Sequence, residues 1–257
     1  MKAPKKYVVH VESQKDRKTE FEANNKHVSE IHWTYGLKGV ELNLPRLLLD
    51  GLITPELFNK VSEENPRKPF APNVIANAMS HIELWELAAS SGDPVTVMEN
   101  DAVLSTQFES ESVRLIEANP QFDIIQWGWN FDGFLDVYLL DKTLGPTRIV
   151  TNQYSIQGKT DIFKSFESDR NLIQLSSTWG THCYTISPGG AEKLLALTLP
   201  LSNTAVHRSD LFQFYYPTTI DGVMNRFYPH LNAYVCVPPL SLVENNKTGS
   251  TLQGQSK

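Results

Sequence analysis

The chain has 257 residues, with 23 Lys and Arg against 29 Asp and Glu, for a formal net charge of −6. With 40% hydrophobic and 20% charged residues it is a globular chain, long enough for one large core or two small domains. That composition excludes a disordered chain, a collagen-like repeat and a disulfide-stapled miniature, and the acidic balance argues against a general nucleic-acid binder. Residues 1–26 stand apart, with seven basic and four acidic side chains.

Residues 7–11 predict a buried first strand. The basic start before it and its short apolar run do not make a secretory signal, and no stretch approaches a membrane span. These features predict a soluble chain in a reducing compartment, the cytoplasm; Asn246-Lys247-Thr248 is then a sequon by coincidence. Residues 14–25 predict a charged helix and residues 31–35 a second strand. Residues 36–72 are dense in Gly and Pro and predict a long connection with one short helix after Thr54-Pro55. Residues 73–89 are the clearest helix, with Asn73 as N-cap and Val74, Ala78, Ile82, Trp85 and Ala89 on one face. Gly92-Asp93-Pro94 ends it.

Residues 95–98 predict a strand, 108–118 a helix, 122–127 a third strand and 134–156 two more. Residues 157–178 are polar and predict a loop. Residues 181–186 predict a strand, and Ser187-Pro188 opens a helix to Leu197. Residues 207–215 and 220–227 predict helices, and residues 233–237 a strand broken by Pro238-Pro239. Cys183 and Cys236 lie in apolar runs and predict buried thiols, with a disulfide as the alternative; no zinc spacing occurs. Alternating strands and helices predict an α/β domain with a mostly parallel sheet.

Glu99-Asn100-Asp101 lies at the carboxyl end of a strand, where open α/β sheets bind ligands. In extended backbone Glu99 and Asp101 face one side and Asn100 the other. Such a pair suits Mg²⁺ or Mn²⁺ bridging diphosphate oxygens, or is simply an acidic turn. Arg17 suits a phosphate or ribose contact, or a solvated helix face. His81 touches a ligand or shapes the site from its helix. Trp127 reads as core, whereas Trp129-Asn130 reads as exposed beside the triplet. Gly180 permits close backbone approach or positive φ. Asp221 is a helix-dipole partner or a catalytic base. His207 and His230 read as structural or exposed rather than as metal ligands.

Two blocks carry a resemblance. One runs from Ser80-His81 through Gly92 to Glu99-x-Asp101-x-Val103-Leu104. The other runs from Trp179-Gly180-Thr181-His182-Cys183-Tyr184 to Gly190-Ala191-Glu192-Lys193-Leu194. Over residues 7–240 the chain resembles the family 25 glycosyltransferases, which build bacterial lipooligosaccharide and include the collagen galactosyltransferases. It departs from their pattern at His10, usually Asn, at Ser13, often Arg, and at Asn100, usually Asp. By the strand argument Asn100 points away from the metal, so the ligands stay.

The resemblance implies a GT-A-type, Rossmann-like single domain over residues 1–240, with a polar tail at 241–257. It implies inverting transfer of galactose or glucose from a UDP-sugar to a glycan or glycolipid acceptor, with Mn²⁺ or Mg²⁺. It places Val11, Arg17, His81 and Glu99 at the donor, and Glu99 and Asp101 at the metal. Trp129, Trp179, Gly180 and Thr181 fall at substrate, and Asp221 is the base. Nucleic acid is no partner; contact with a membrane surface stays open. The alternative is a catalytically silent nucleotide-sugar or carbohydrate-binding module of the same fold. A dinucleotide enzyme and a P-loop NTPase are disfavoured, since neither GxGxxG nor GxxxxGK[ST] occurs.

Overall fold

The computed structural model describes residues 3–12, 14–62, 71–140, 142–208, 211 and 213–244. Ser13, the sequon, residues 245–257 of the tail and residues 63–70 of the long connection lie outside the described residues. The elements in chain order are β1 (Lys5–His10), α1 (Lys15–Asn24), β2 (Ile31–Tyr35), α2 (Leu44–Leu49), α3 (Pro55–Ser62), α4 (Pro72–Ser91) and β3 (Val95–Glu99). Then follow β4 (Val103–Leu104), α5 (Phe108–Ala118), β5 (Ile124–Gln126), β6 (Phe134–Tyr138), β7 (Thr147–Val150), α6 (Thr160–Ser165) and β8 (Asn171–Thr178). The last are β9 (Cys183–Ile186), α7 (Pro188–Thr198), β10 (Val206–Arg208), β11 (Gln213–Tyr215), α8 (Ile220–Asn225), β12 (Ala233–Val237) and β13 (Ser241–Leu242).

Nine strands form one sheet in the order β2-β1-β3-β9-β5-β12-β8-β6-β7. The α/β class holds, but the sheet is mixed rather than mostly parallel. Only β1/β2, β1/β3 and β5/β12 pair in parallel; the other five pairings are antiparallel. Apolar periodicity reveals that a strand exists but not which way it runs. Here β9 enters from a short loop after β8 and inserts antiparallel between β3 and β5.

Period-2 alternation divides the core between the two faces of the sheet. Val9, Val97, Ile124, Tyr184 and Val235 pack with residues of α4, α7 and α8. Their neighbours Val8, Met98, Ile125, Cys183 and Cys236 pack with Phe21 of α1 and with Phe108, Leu115 and Ile116 of α5. Both cysteines are buried and free, as their apolar settings predict. No helix among the described residues is long and apolar enough to cross a membrane.

Four local expectations need correction. α4 begins at Pro72 with Ala71 as N-cap, because the Asn73 side chain accepts the Gly39 N–H at 3.0 Å. Residues 157–178, predicted as loop, hold α6 and the eight-residue β8. The second half of β8 buries Ser176, Ser177 and Thr178, so no apolar alternation marks it. Within residues 207–215, predicted as a helix, the described residues instead belong to β10 and β11, which pair antiparallel, with Arg208 turned inward to the Asn225 carbonyl and Ser176. Ser241 and Leu242, assigned to the tail, pair with β4 and so belong to the domain.

Ser187 caps α7 by accepting the Gly190 N–H at 3.0 Å. A Cβ on Gly190 would lie 2.0 Å from the Asp123 carbonyl oxygen, whereas one on Gly189 meets nothing within 4 Å. Gly190→Ala should therefore destabilise by about 1–3 kcal/mol through overpacking. Gly189→Ala should be neutral or stabilise by up to about 1 kcal/mol through reduced backbone entropy. Denaturant melts of the two variants check this opposition.

Candidate functional site

The carboxyl end of β3 meets β1 on one side and the start of β9 on the other. β3 ends at Glu99, whose N–H donates to the His182 carbonyl at 2.9 Å. The chain then turns, with the Ala102 N–H donating to the Glu99 carbonyl at 3.1 Å. Asp101 thus lies in a turn and not in extended backbone, yet the divergence of side chains is the expected one. Glu99 and Asp101 line one cleft together with Asn130, Gly180, Thr181 and Asp221. Asn100 turns away, is buried, and donates from Nδ2 to His10 Nδ1 at 3.1 Å and to Gln14 Oε1 at 3.0 Å.

The two acids have different surroundings. Burial pushes the Glu99 carboxyl up, but the His81 contact and the Thr181 hydrogen bond outweigh it and leave it below its ordinary value. Thr181 Oγ1 donates to Glu99 Oε1 at 2.5 Å, and His81 Nε2 stands 3.4 Å from the same oxygen. Burial, then the Glu99 charge, raise Asp101 to about 6, against the opposing pull of Arg17. Arg17 Nη1 bonds Asp101 Oδ2 at 3.2 Å, while Asp101 Oδ1 is buried with no hydrogen-bond partner.

Asp221 lies in the first turn of α8. Its carboxylate accepts from the Gly180 N–H at 2.9 Å, the Gly222 N–H at 2.8 Å and the Thr219 hydroxyl. Burial raises its pKa in spite of these donors. Gly180 has φ +102°, and a Cβ there would lie 2.5 Å from Asn130 Oδ1, so only glycine fits this turn.

Of the residues singled out by sequence, Glu99, Asp101, Gly180, Thr181 and Asp221 converge on the cleft. Arg17 joins them through Asp101 rather than lying on a solvated face. His81 is fully buried behind the cleft, with Nε2 3.4 Å from Glu99 Oε1. Trp129 is only 4% exposed, stacked on Phe131 with its indole N–H on Thr151, and is not the exposed aromatic expected. Trp127 is core on the opposite face, as expected. Trp179 packs edge-on against Phe134 and Tyr215, behind the loop that carries Gly180. Val11 stays off the cleft lining; its carbonyl accepts the Gln14 N–H at 2.8 Å. His207 and His230 line a separate cavity with Lys142 and Arg226.

Sequence reasoning missed Asn77, Thr219, His182 and Val243 in the cleft lining. No local pattern marks them, since each arrives from a different segment. Val243 and Asp101 also line an adjoining cavity of about 310 Å³ with Arg17, Asn24 and Glu244. Among the described residues no group of three or more His, Cys, Asp and Glu side chains is placed to hold a metal ion. A cation at Glu99 and Asp101 would complete its shell with water and diphosphate oxygens.

The profile of Glycosyltransferase family 25 (LPS biosynthesis protein) matches residues 3–212. The chain belongs to glycosyltransferase family 25. It is therefore an enzyme of the glycosyltransferase class, and its large mixed sheet between helical layers is consistent with the GT-A type of fold. Comparison with curated proteins finds no match. In this family 25 enzyme Glu99 and Asp101 of the acidic triplet, the Gly180-Thr181 turn and Asp221 line one cleft.

Two expectations follow. Asn100→Asp removes the donor to His10 and Gln14 and sets a buried carboxylate against both. His10, now held below its ordinary pKa by burial and then by Lys18, should titrate higher in the variant by NMR. Stability near pH 8 should drop by roughly 1–3 kcal/mol and recover as acid protonates the new pair.

His182 is buried, and burial lowers its pKa to about 4 against 6.5 for a free side chain. Between those values the unfolded chain binds the extra proton, so stability falls as pH drops from 6.5 towards 4. This component, on the order of 2–3 kcal/mol, should be missing from the pH profile of His182→Gln melts.

Proposed function

We propose that this family 25 enzyme is a metal-dependent, inverting transferase moving galactose or glucose from a UDP-sugar to a glycan or glycolipid acceptor. The observation that carries this reading is the meeting of Glu99, Asp101 and Asp221 in one cleft floored by Gly180 and Thr181. The donor set fits a hard divalent cation. Asp101 Oδ1 is buried without a partner, and the Glu99 charge destabilises its ionised form, which a cation would relieve. When bound, Mg²⁺ or Mn²⁺ supplies charge neutralisation for the departing diphosphate.

The chain's own groups do the rest. Thr181 and His81 orient Glu99. Arg17, beside Asp101, offers a fixed cation to a phosphate oxygen. The positive-φ turn at Gly180 lets backbone approach the sugar. Asp221 takes the proton of the acceptor hydroxyl, on the face opposite the leaving group as inversion requires. Burial raises its pKa, the direction that makes a carboxylate a stronger base.

UDP should raise the melting temperature, and Mn²⁺ should enlarge the shift. Because Asp101 must be ionised to hold a cation, the Mn²⁺ contribution should grow as pH rises through about 6. Asp101→Asn should lower turnover by on the order of 10²–10³-fold. Asp221→Asn should keep UDP binding and lose transfer by roughly 10²–10⁴-fold. Loss of UDP binding together with a lower melting temperature in Asp221→Asn would instead assign that carboxylate to anchoring Gly180. UDP-sugar binding with neither hydrolysis nor transfer would favour the silent module.

A further inference from the structure

We infer that Tyr184 donates to His81 Nδ1 and so fixes the His81 ring with its proton on Nε2, beside the Glu99 carboxylate that it helps to position. The inference starts from a count of protons. Tyr184 Oη receives the Trp85 indole N–H at 2.8 Å and stands 2.9 Å from His81 Nδ1. All three side chains are fully buried. An indole N–H only donates, so the Tyr184 oxygen is the acceptor there and its own proton must go elsewhere. Of its two hydrogen-bonding neighbours only His81 Nδ1 can receive it. Nδ1 is then bare and the ring proton sits on Nε2.

Nε2 stands 3.4 Å from Glu99 Oε1, an electrostatic contact rather than an aligned hydrogen bond, and has no hydrogen-bond partner. The opposite tautomer would set a nitrogen lone pair against a carboxylate and leave the buried tyrosine proton without an acceptor. The order Trp85, Tyr184, His81 therefore runs one way, each donating to the next, and leaves the ring proton on the side of Glu99. His81 and Trp85 are four apart on α4 and so share the helix face that meets β9. Tyr184 lies beside Val97 in the β3–β9 pairing, two residues before Glu99.

The arrangement gives a physical task to residues of two blocks about a hundred positions apart in sequence. Ser80 serves a different purpose: its hydroxyl accepts the Leu37 N–H at 3.2 Å. Tyr184 and His81 are thus positioning residues. They hold one oxygen of Glu99 from behind while Thr181 bonds the same oxygen from the loop.

The test reads the ring directly. Long-range ¹H–¹⁵N NMR of the ligand-free protein should show His81 as a neutral ring protonated on Nε2. Tyr184→Phe keeps the packing and removes the donor to Nδ1, so the Nδ1 resonance should move to that of a ring nitrogen with no hydrogen bond while Nε2, beside Glu99, keeps its proton. Trp85→Phe removes only the first donor and should leave both nitrogen resonances in place. An imidazolium or an Nδ1 proton in the parent, or an unchanged Nδ1 resonance in Tyr184→Phe, would overturn the inference.

The consequence for Glu99 rests on the metal reading proposed above. Mn²⁺ affinity should fall about 10–100-fold in Tyr184→Phe, as it does when groups behind metal ligands are removed, and less than about threefold in Trp85→Phe. Loss of the Nδ1 hydrogen bond in Tyr184→Phe with unchanged Mn²⁺ affinity would overturn the positioning role. A parent protein that binds no Mn²⁺ would overturn the metal reading, while the tautomer measurement still decides the His81 assignment.

Discussion

Two half-buried carboxylates at the end of one strand, lining the same cleft, set the conditions for everything around them. Glu99 and Asp101 repel one another, and the surroundings answer the two charges unequally. Glu99 has Thr181 and His81 beside it and stays ionised, whereas Asp101 has Arg17 on one oxygen and a bare second oxygen. The asymmetry gives one firmly anionic group and one whose charge is finely balanced. Such an imbalance is in keeping with the cation proposed for this pair, whose charge would relieve the repulsion between the two acids.

The antiparallel insertion of β9 makes this pair possible. With β9 between β3 and β5, the loop before it brings Gly180, Thr181 and His182 to the end of β3. The Gly180 turn is tied in turn to Asp221, whose carboxylate receives the Gly180 N–H. Three segments far apart in the chain are thereby joined by short hydrogen bonds. The loop cannot move without disturbing an acid on either side of it, and its φ of +102° and close approach to Asn130 require the glycine found at position 180.

The triplet's central residue belongs to a different part of the structure. Asn100 ties the turn after β3 to the end of β1 through His10 and to the start of α1 through Gln14. An amide suits that place, since its N–H₂ can donate to a ring nitrogen and a carbonyl at once. Two of the positions where this chain departs from the family pattern, His10 and Asn100, are hydrogen-bonded to each other. They form a local pair with its own polar satisfaction, outside the cleft that Glu99 and Asp101 line, although Asn100 also borders the adjoining cavity with Arg17 and Asp101.

Strand and helix identities were legible wherever apolar spacing was strong, as in β2, α5 and β12, and so were the acidic triplet, the Gly180 turn and the family resemblance. Those features depend on residues near one another in sequence. β8 and the β10–β11 hairpin were not legible, because their inward positions carry Ser, Thr and Arg satisfied by distant partners. Trp129 was misjudged for a related reason: whether an aromatic after a strand end is exposed depends on what the next layer covers. By itself the sequence determined the α/β class, the family and the chemical types gathered at the site. Only the tertiary structure decided strand direction, the burial of His81 and the donors around each carboxylate, because those depend on contacts made across the sheet by residues scores of positions apart.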